Sequence, residues 1–269
     1  MIGTDYHIHT HYVGCADNTM TIPAILDRCR RTGRTSIAIT DHCDKDWQFE
    51  KNRLIREELR RTDPGELEVF FGCEQNILNM DGEVAVTEEV KKREGFEIVV
   101  GGVHSTWFND GEATIEHIIE RQNDLMCKAA ANPVIDVLVH PWWFGQGQFK
   151  AQLEGRFKSL GQVPDELTCR LAEVCVANDT AIELNMAAIF LYPLTSDAYK
   201  ESYKAYIARF VELGCSISLS TDAHRITELD SIGLGERILD EIGLPKSRVW
   251  KPKTRARTTG QAVKKDRGR

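Results

Sequence analysis

Six of the eight histidines, His7, His9, His42, His104, His140 and His224, follow short apolar runs, and carboxylates stand with them at Asp41, Glu74 and Asp222. In His7-x-His9 and Asp222-x-His224 the spacing is two, which on a strand turns both side chains to one face, where two donors can grip one cation. Taken singly, each histidine reads as a hydrogen-bonding structural residue. Only His11 and His117 lie elsewhere, and that collective placement points to a ligand set. Imidazole with carboxylate selects Zn²⁺, Mn²⁺ or Fe²⁺ over Ca²⁺ and Mg²⁺, and the cysteines contain no CxxC pair of a structural zinc site. A catalytic metal site is expected. Its donors are His7, His9, Asp17, His42, Glu74, His104, His140, Asp222 and His224. They outnumber the roughly four to six positions of one ion, so two or three ions are expected.

Donors so far apart in sequence meet only if the fold gathers them. Runs rich in β-branched residues at Gly3–Ile8, Ser36–Thr40, Glu68–Gly72, Glu97–Val103, Val134–Val139, Thr180–Leu184 and Cys215–Ser220 read as seven strands. Helical periodicity fills Ile22–Thr32, Trp47–Arg61, Thr114–Ala131, Asp165–Ala177 and Ser196–Leu213, with Gly33 and Gly214 as C-terminal stops. Alternation of this kind predicts an α/β fold with a parallel sheet. In a closed barrel the C-terminal strand ends share one mouth, and nearly every polar motif named above, with Asn185, falls at such an end. A Gly/Gln-rich stretch, Gly145–Gly161, is a candidate loop over that mouth.

The chain of 269 residues suits one domain over 1–245. Its net charge of −7 conceals an asymmetry, because residues 246–269 carry ten basic side chains and one acidic one. An acidic body therefore bears a basic tail, which argues against a dedicated nucleic-acid coat protein but leaves nucleic acid as a partner for the tail. No basic segment leading into an apolar stretch opens the chain, and no uninterrupted apolar run spans a membrane, so a cytoplasmic protein is expected. The scattered cysteines read as reduced thiols.

The motifs, taken in order, resemble those of the PHP (polymerase and histidinol phosphatase) family of metal-dependent phosphoesterases. Asp5-Tyr6-His7-Ile8-His9-Thr10 is similar to its first motif and Ile39-Thr40-Asp41-His42 to its second, followed by Gly72-Cys73-Glu74 and Gly102-Val103-His104. Val139-His140-Pro141, Glu183-Leu184-Asn185 and Ser220-Thr221-Asp222-Ala223-His224 resemble the rest. The resemblance implies a distorted seven-stranded (β/α)7 TIM-like barrel with its metals at the C-terminal strand ends. It implies that His7, His9, Glu74 and Asp222 hold one ion, with Glu74 bridging to a second, and that His42, His104, His140 and His224 complete the other sites. After the first motif the family supplies one more ligand, for which Asp17, Cys15 and His11 are the candidates; counting back from Thr21-Ile22-Pro23 favours Asp17.

The chemistry so implied is hydrolysis of a phosphoester, foremost by a small-molecule phosphomonoesterase of histidinol-phosphatase type. A metal-bridging hydroxide attacks phosphorus and the metals stabilise the developing oxyanions. Glu74, Asp222 and His224 are the catalytic candidates, the last two for the proton of the departing alcohol. Arg225 and Lys45 are candidate phosphate contacts against a reading as solvated loop charges. Trp47, Trp107, Trp142 and Trp143 closely follow the histidine motifs and read either as rim packing or, at Trp107 and Trp143, as a stacking wall for an aromatic or heterocyclic alcohol. The alternatives are a phosphodiesterase or 3′-5′ exonuclease acting on nucleotides or DNA, and a non-catalytic module of the same family. An amidohydrolase also opens with HxH but would want a bridging lysine where Glu74 stands. For the tail, deletion of residues 246–269 is the test: binding of a short oligonucleotide that weakens steeply with salt and vanishes with the deletion marks a phosphate contact, whereas a tail clamped to the acidic body leaves no binding to lose.

Overall fold

The computed structural model describes residues 2–104, 114–143 and 156–253. Trp107, residues 145–155 of the expected loop and residues 254–269 of the tail lie outside the described residues. Strands and helices alternate: β1 (Thr4–Asp5), α1 (Ile22–Arg31), β2 (Ser36–Ile39), α2 (Asp46–Arg61), β3 (Glu68–Asn76), α3 (Glu88–Glu94), β4 (Ile98–Gly102), α4 (Ile115–Ala131), β5 (Val137–Leu138), α5 (Asp165–Asn178), β6 (Ala181–Asn185), α6 (Asp197–Glu212), β7 (Ile217–Ser220) and α7 (Ile232–Glu241). Each strand pairs in parallel with the next in sequence. Closure between β7 and β1 occurs past the ends of the regular strands, where Ile8 bridges Ala223 and the Asp222 N–H donates to the His7 carbonyl at 2.8 Å. Lower down, the Asp5 carboxylate accepts from Thr221 N at 2.9 Å and Thr221 Oγ1 at 2.7 Å. The result is a distorted (β/α)7 TIM-like barrel, as expected.

The sequence explains most element boundaries. In α1 the buried positions Ile22, Ile25, Leu26 and Cys29 recur at helical spacing, and Thr21 Oγ1 caps the Ala24 N–H. Two helices lie outside the sequence-based expectation. α3, Glu-Glu-Val-Lys-Lys-Arg-Glu, has one apolar residue and hence no periodicity; it is delimited by the Thr87 cap and by Gly95, whose φ of 77° suits the left-handed stop. α7 carries Gly233 and Gly235, which read as breakers, yet a Cβ at Gly235 would collide with Leu219 and crowd Met186. Glycine there allows the helix to lie close on β7.

Strand alternation divides the core in two. Ile37, Ile39, Val99, Ile182 and Leu219 face the helices, while Tyr6, Ala38, Phe70, Ile98, Val100, Val137, Val139 and Ala181 fill the barrel. The start of the basic tail completes that inner layer. Val249 bridges Ile217, the Trp250 N–H donates to the Ile217 carbonyl at 2.9 Å, and the Trp250 ring meets Tyr6 edge-on at 5.3 Å. Arg248 donates to the Gly214 carbonyl, and Lys253 pairs with Asp179 at 2.8 Å. Residues 246–253 thus lie across the N-terminal end of the barrel, opposite the strand ends that carry the histidines. No helix among the described residues is long and apolar enough to cross a membrane, and all eight cysteines are free. Trp250→Ala should remove the plug over Tyr6 and cost about 2 kcal/mol, less than a fully buried aromatic because Trp250 is only half-buried; urea denaturation measures it.

Candidate metal centre

Because all strands run in parallel, each delivers its motif to the same end of the barrel. His7 and His9 flank Ile8, which bridges to Ala223, so the two imidazoles share the face opposite the Ile8 side chain. β3 runs to Asn76, beyond the Gly72 expected, and carries Glu74 within a regular strand, bridged to His42 on one side and paired with Val100 on the other. Glu74 is 1% exposed and is the hub. Its Oε2 lies 2.9 Å from His42 Nδ1, 3.4 Å from His9 Nε2 and 3.5 Å from His7 Nε2. Its Oε1 lies 3.0 Å from His140 Nε2 and 3.2 Å from His104 Nε2. Asp222 Oδ1 lies 3.2 Å from His9 Nε2 and 3.5 Å from both His7 and His224.

Three sets of donor atoms are compact enough to surround a cation: His7, His9 and Asp222; Glu74, His104 and His140; and His9, Cys15, His42 and His224. Eight of the nine expected donors are therefore brought together. Asp17 is not. Its exposed carboxylate accepts from the backbone N–H and hydroxyl of Thr19, an Asx turn, while its own N–H donates to the His224 carbonyl. Cys15, also an exposed residue, instead directs its Sγ to the cluster, 3.6 Å from His9 Nδ1. His11 is drawn to the Met20 carbonyl, away from the cluster.

The electrostatics suit cations. Burial, with His224 alongside, pushes the His9 imidazole down to about 3, leaving a neutral donor. Burial opposes protonation of His7 as well, yet Asp222, Glu183 and Glu74 outweigh it and hold His7 well above its ordinary value; His42 is likewise brought to about 9 against burial by Glu74. Burial would neutralise Glu74, but His42, His7 and His104 hold its carboxyl well below the usual range. The carboxylates thus draw positive charge onto the imidazoles, and a divalent cation answers the same demand with more charge in the same place. Glu74 Oε2 and His42 Nδ1 are buried without a well-directed hydrogen bond, which fits ligand atoms of a metal cluster.

The backbone is bent to make this arrangement. His140 and Asp222 adopt φ of 30° and 52°, a region side-chain-bearing residues rarely occupy. Trp142, at φ 63°, closes a turn in which the Trp143 N–H donates to the His140 carbonyl; its buried indole N–H donates to Tyr206 Oη at 2.8 Å and its carbonyl accepts from Tyr199 Oη. Trp142 is thus rim packing, whereas the Trp143 ring lies 5.3 Å from His140 and 5.9 Å from His104. Arg225 and Lys45 are exposed, and Arg225 is 3.9 Å from Glu228. The sequence reading singled out the motifs that contain Asp41 and Glu183 but gave these two buried carboxylates no role; Asp41 is bound to Thr10 and Glu183 to His7. The signal for Glu183 was its spacing of two from Asn185 on a strand.

Gly102 marks where the packing is tightest, since a Cβ there would lie 2.8 Å from His140 Cε1 and 3.4 Å from His104 Cε1. Gly102→Ala should displace both rings, lowering metal content at the Glu74–His104–His140 group, at a stability cost of about 1–3 kcal/mol; metal analysis and a melting curve on the same sample read the two effects.

The PHP domain family profile matches residues 5–187. A probable phosphatase of Caldanaerobacter subterraneus is 23% identical over 248 residues, covering 90% of this chain and 84% of that protein. One of Citrobacter koseri is 24% identical over 255 residues, covering 93% and 89%. The DNA polymerase/3'-5' exonuclease PolX of Bacillus subtilis is 26% identical over 242 residues, 86% of this chain but 36% of that protein. In fold, the chain is similar to hisK of Listeria monocytogenes, a candidate histidinol phosphatase, with TM-score 0.56 at 12% identity over 84% of this chain and 97% of that one. With the family profile matching well over half its length, and its donors gathered at a barrel mouth, the chain belongs to the PHP-domain family of metal-dependent phosphoesterases.

Proposed function

We propose that the chain is a phosphomonoesterase acting on a small phosphorylated molecule, of histidinol-phosphatase type, with two or three divalent transition-metal ions, Zn, Mn or Fe. The observation that carries this reading is the convergence of three donor groups on one buried carboxylate, Glu74, at the mouth of the barrel. His7, His9 and Asp222 would hold one ion and His104 and His140 a second, with Glu74 between them. His9 directs Nε2 at Glu74 and Asp222 but Nδ1 at Cys15, so Cys15, His42 and His224 would hold the third. A thiolate in that set favours zinc over manganese.

Bound ions of this kind supply Lewis acidity toward phosphoryl oxygens and an acidified water at neutral pH. The protein's own groups do the rest. Despite its burial, Asp222 is kept ionised by His7 and His9, so it serves as ligand and acceptor, and the departing alcohol takes its proton from solvent or from His224 at the rim. Trp143, its indole Nε1 buried without a partner beside His104 and His140, offers a ring face and an N–H to the alcohol moiety. Arg225, exposed and next to His224, would meet an anionic substrate. The similarity to PolX supports a second reading, a phosphodiesterase or 3′-5′ exonuclease.

A panel of phosphomonoesters, p-nitrophenyl phosphate among them, and short oligonucleotides, assayed with and without chelator, tests the proposal. Phosphate release that chelator abolishes and zinc restores is expected, greater for monoesters than for oligonucleotides. Cys15→Ser should bind one ion fewer while Asp17→Asn binds as wild type. A metal-loaded protein inert toward every phosphoester refutes the activity.

A further inference from the structure

Glu183 lies on β6, fully buried, and belongs to none of the three donor groups. Three N–H groups converge on its two oxygens. Oε1 lies 2.8 Å from His7 Nδ1, while Oε2 accepts from the His140 backbone N–H at 2.7 Å and from Asn185 Nδ2 at 2.9 Å. Asn185 also donates to Asp222 Oδ2 at 3.2 Å. An ionised carboxylate only accepts, so the proton shared with His7 sits on Nδ1, and a neutral His7 ring then presents an unprotonated Nε2. That nitrogen faces Glu74, Asp222 and His9. The bond to His140 holds a backbone at φ 30° that places His140 Nε2 3.0 Å from Glu74.

We infer that Glu183 is a positioning residue, which with one carboxylate sets the tautomer of His7 in the first donor group and the backbone of His140 in the second; the inference rests on the metal-centre reading above. No amide can replace it. In Glu183→Gln, if the amide oxygen stays on the His140 N–H, the NH2 group faces His7 Nδ1 and forces the proton to Nε2, the nitrogen aimed at the metal site. If the oxygen stays on His7, the NH2 group opposes the His140 N–H. The described hydrogen bonds of Glu183 reach neither Cys15, His42 nor His224, so the third group is an internal control.

The test is zinc titration of the full chain as wild type, Glu183→Gln and Glu183→Asp, with ¹⁵N-histidine NMR of the zinc-loaded proteins and amide exchange at His140. In Glu183→Gln the ion of the first donor group or that of the second, according to which bond the amide oxygen keeps, should bind roughly 10–100-fold more weakly. The third should be unchanged, and either the His7 nitrogen signals invert or the His140 amide exchanges faster. Glu183→Asp, which keeps both acceptors at shorter reach, should retain the Nδ1–H pattern. Equal binding of all ions in Glu183→Gln, or equal weakening of all three, overturns the inference. A wild-type chain that takes up no zinc defeats the metal-centre reading instead, and the His7 nitrogen signals with His140 exchange in the metal-free proteins then still decide on Glu183: both unchanged in Glu183→Gln counts against it.

Discussion

An ionised carboxylate withdrawn from water costs several kcal/mol unless opposite charge and hydrogen-bond donors surround it. Glu74 is in that position, with five imidazoles, His7, His9, His42, His104 and His140, within 3.5 Å of its oxygens. They arrive after four different strands, so stabilising this one group requires the barrel mouth to close around it. The same crowding fixes the chemistry. Imidazoles that pack against a carboxylate cannot all be protonated, as the depressed His9 and elevated His42 show, and the cluster is electrostatically prepared for divalent cations.

The rest of the upper barrel serves that constraint. The regular strands β1 and β7 do not pair with each other, and closure passes to Ile8 with Ala223 and to the bonds between Asp222, His7 and Asp5–Thr221. The ligand segments themselves thus form the seam. His140 and Asp222 accept unfavourable φ values, each worth about 1–2 kcal/mol, and buried bonds from Glu183 and Asn185 hold them there. At the opposite end Trp250 fills the space below Tyr6.

Much of this was legible in the sequence because it depends on period. His7-x-His9 works on any strand, and apolar runs preceding each histidine placed the donors at strand ends without knowledge of the loops. Loop geometry is not periodic. Counting from Thr21 selected Asp17, but Asp17 is consumed in a turn with Thr19, and the chain bends so that Cys15 reaches His9. α3 escaped notice because its stability comes from its caps rather than an apolar face, and α7 because glycine allows close packing where it would ordinarily signal a break. Glu183 shows a further limit: whether a mid-strand carboxylate pairs with a ligand depends on which residues the closed barrel places beside it.

Anomalous diffraction from crystals of the zinc-loaded chain, recorded on both sides of the zinc absorption edge, tests the central claim most directly. Two or three peaks packed around Glu74, one of them beside Cys15, are predicted. A single peak away from Glu74, or none at the barrel mouth, would contradict the account.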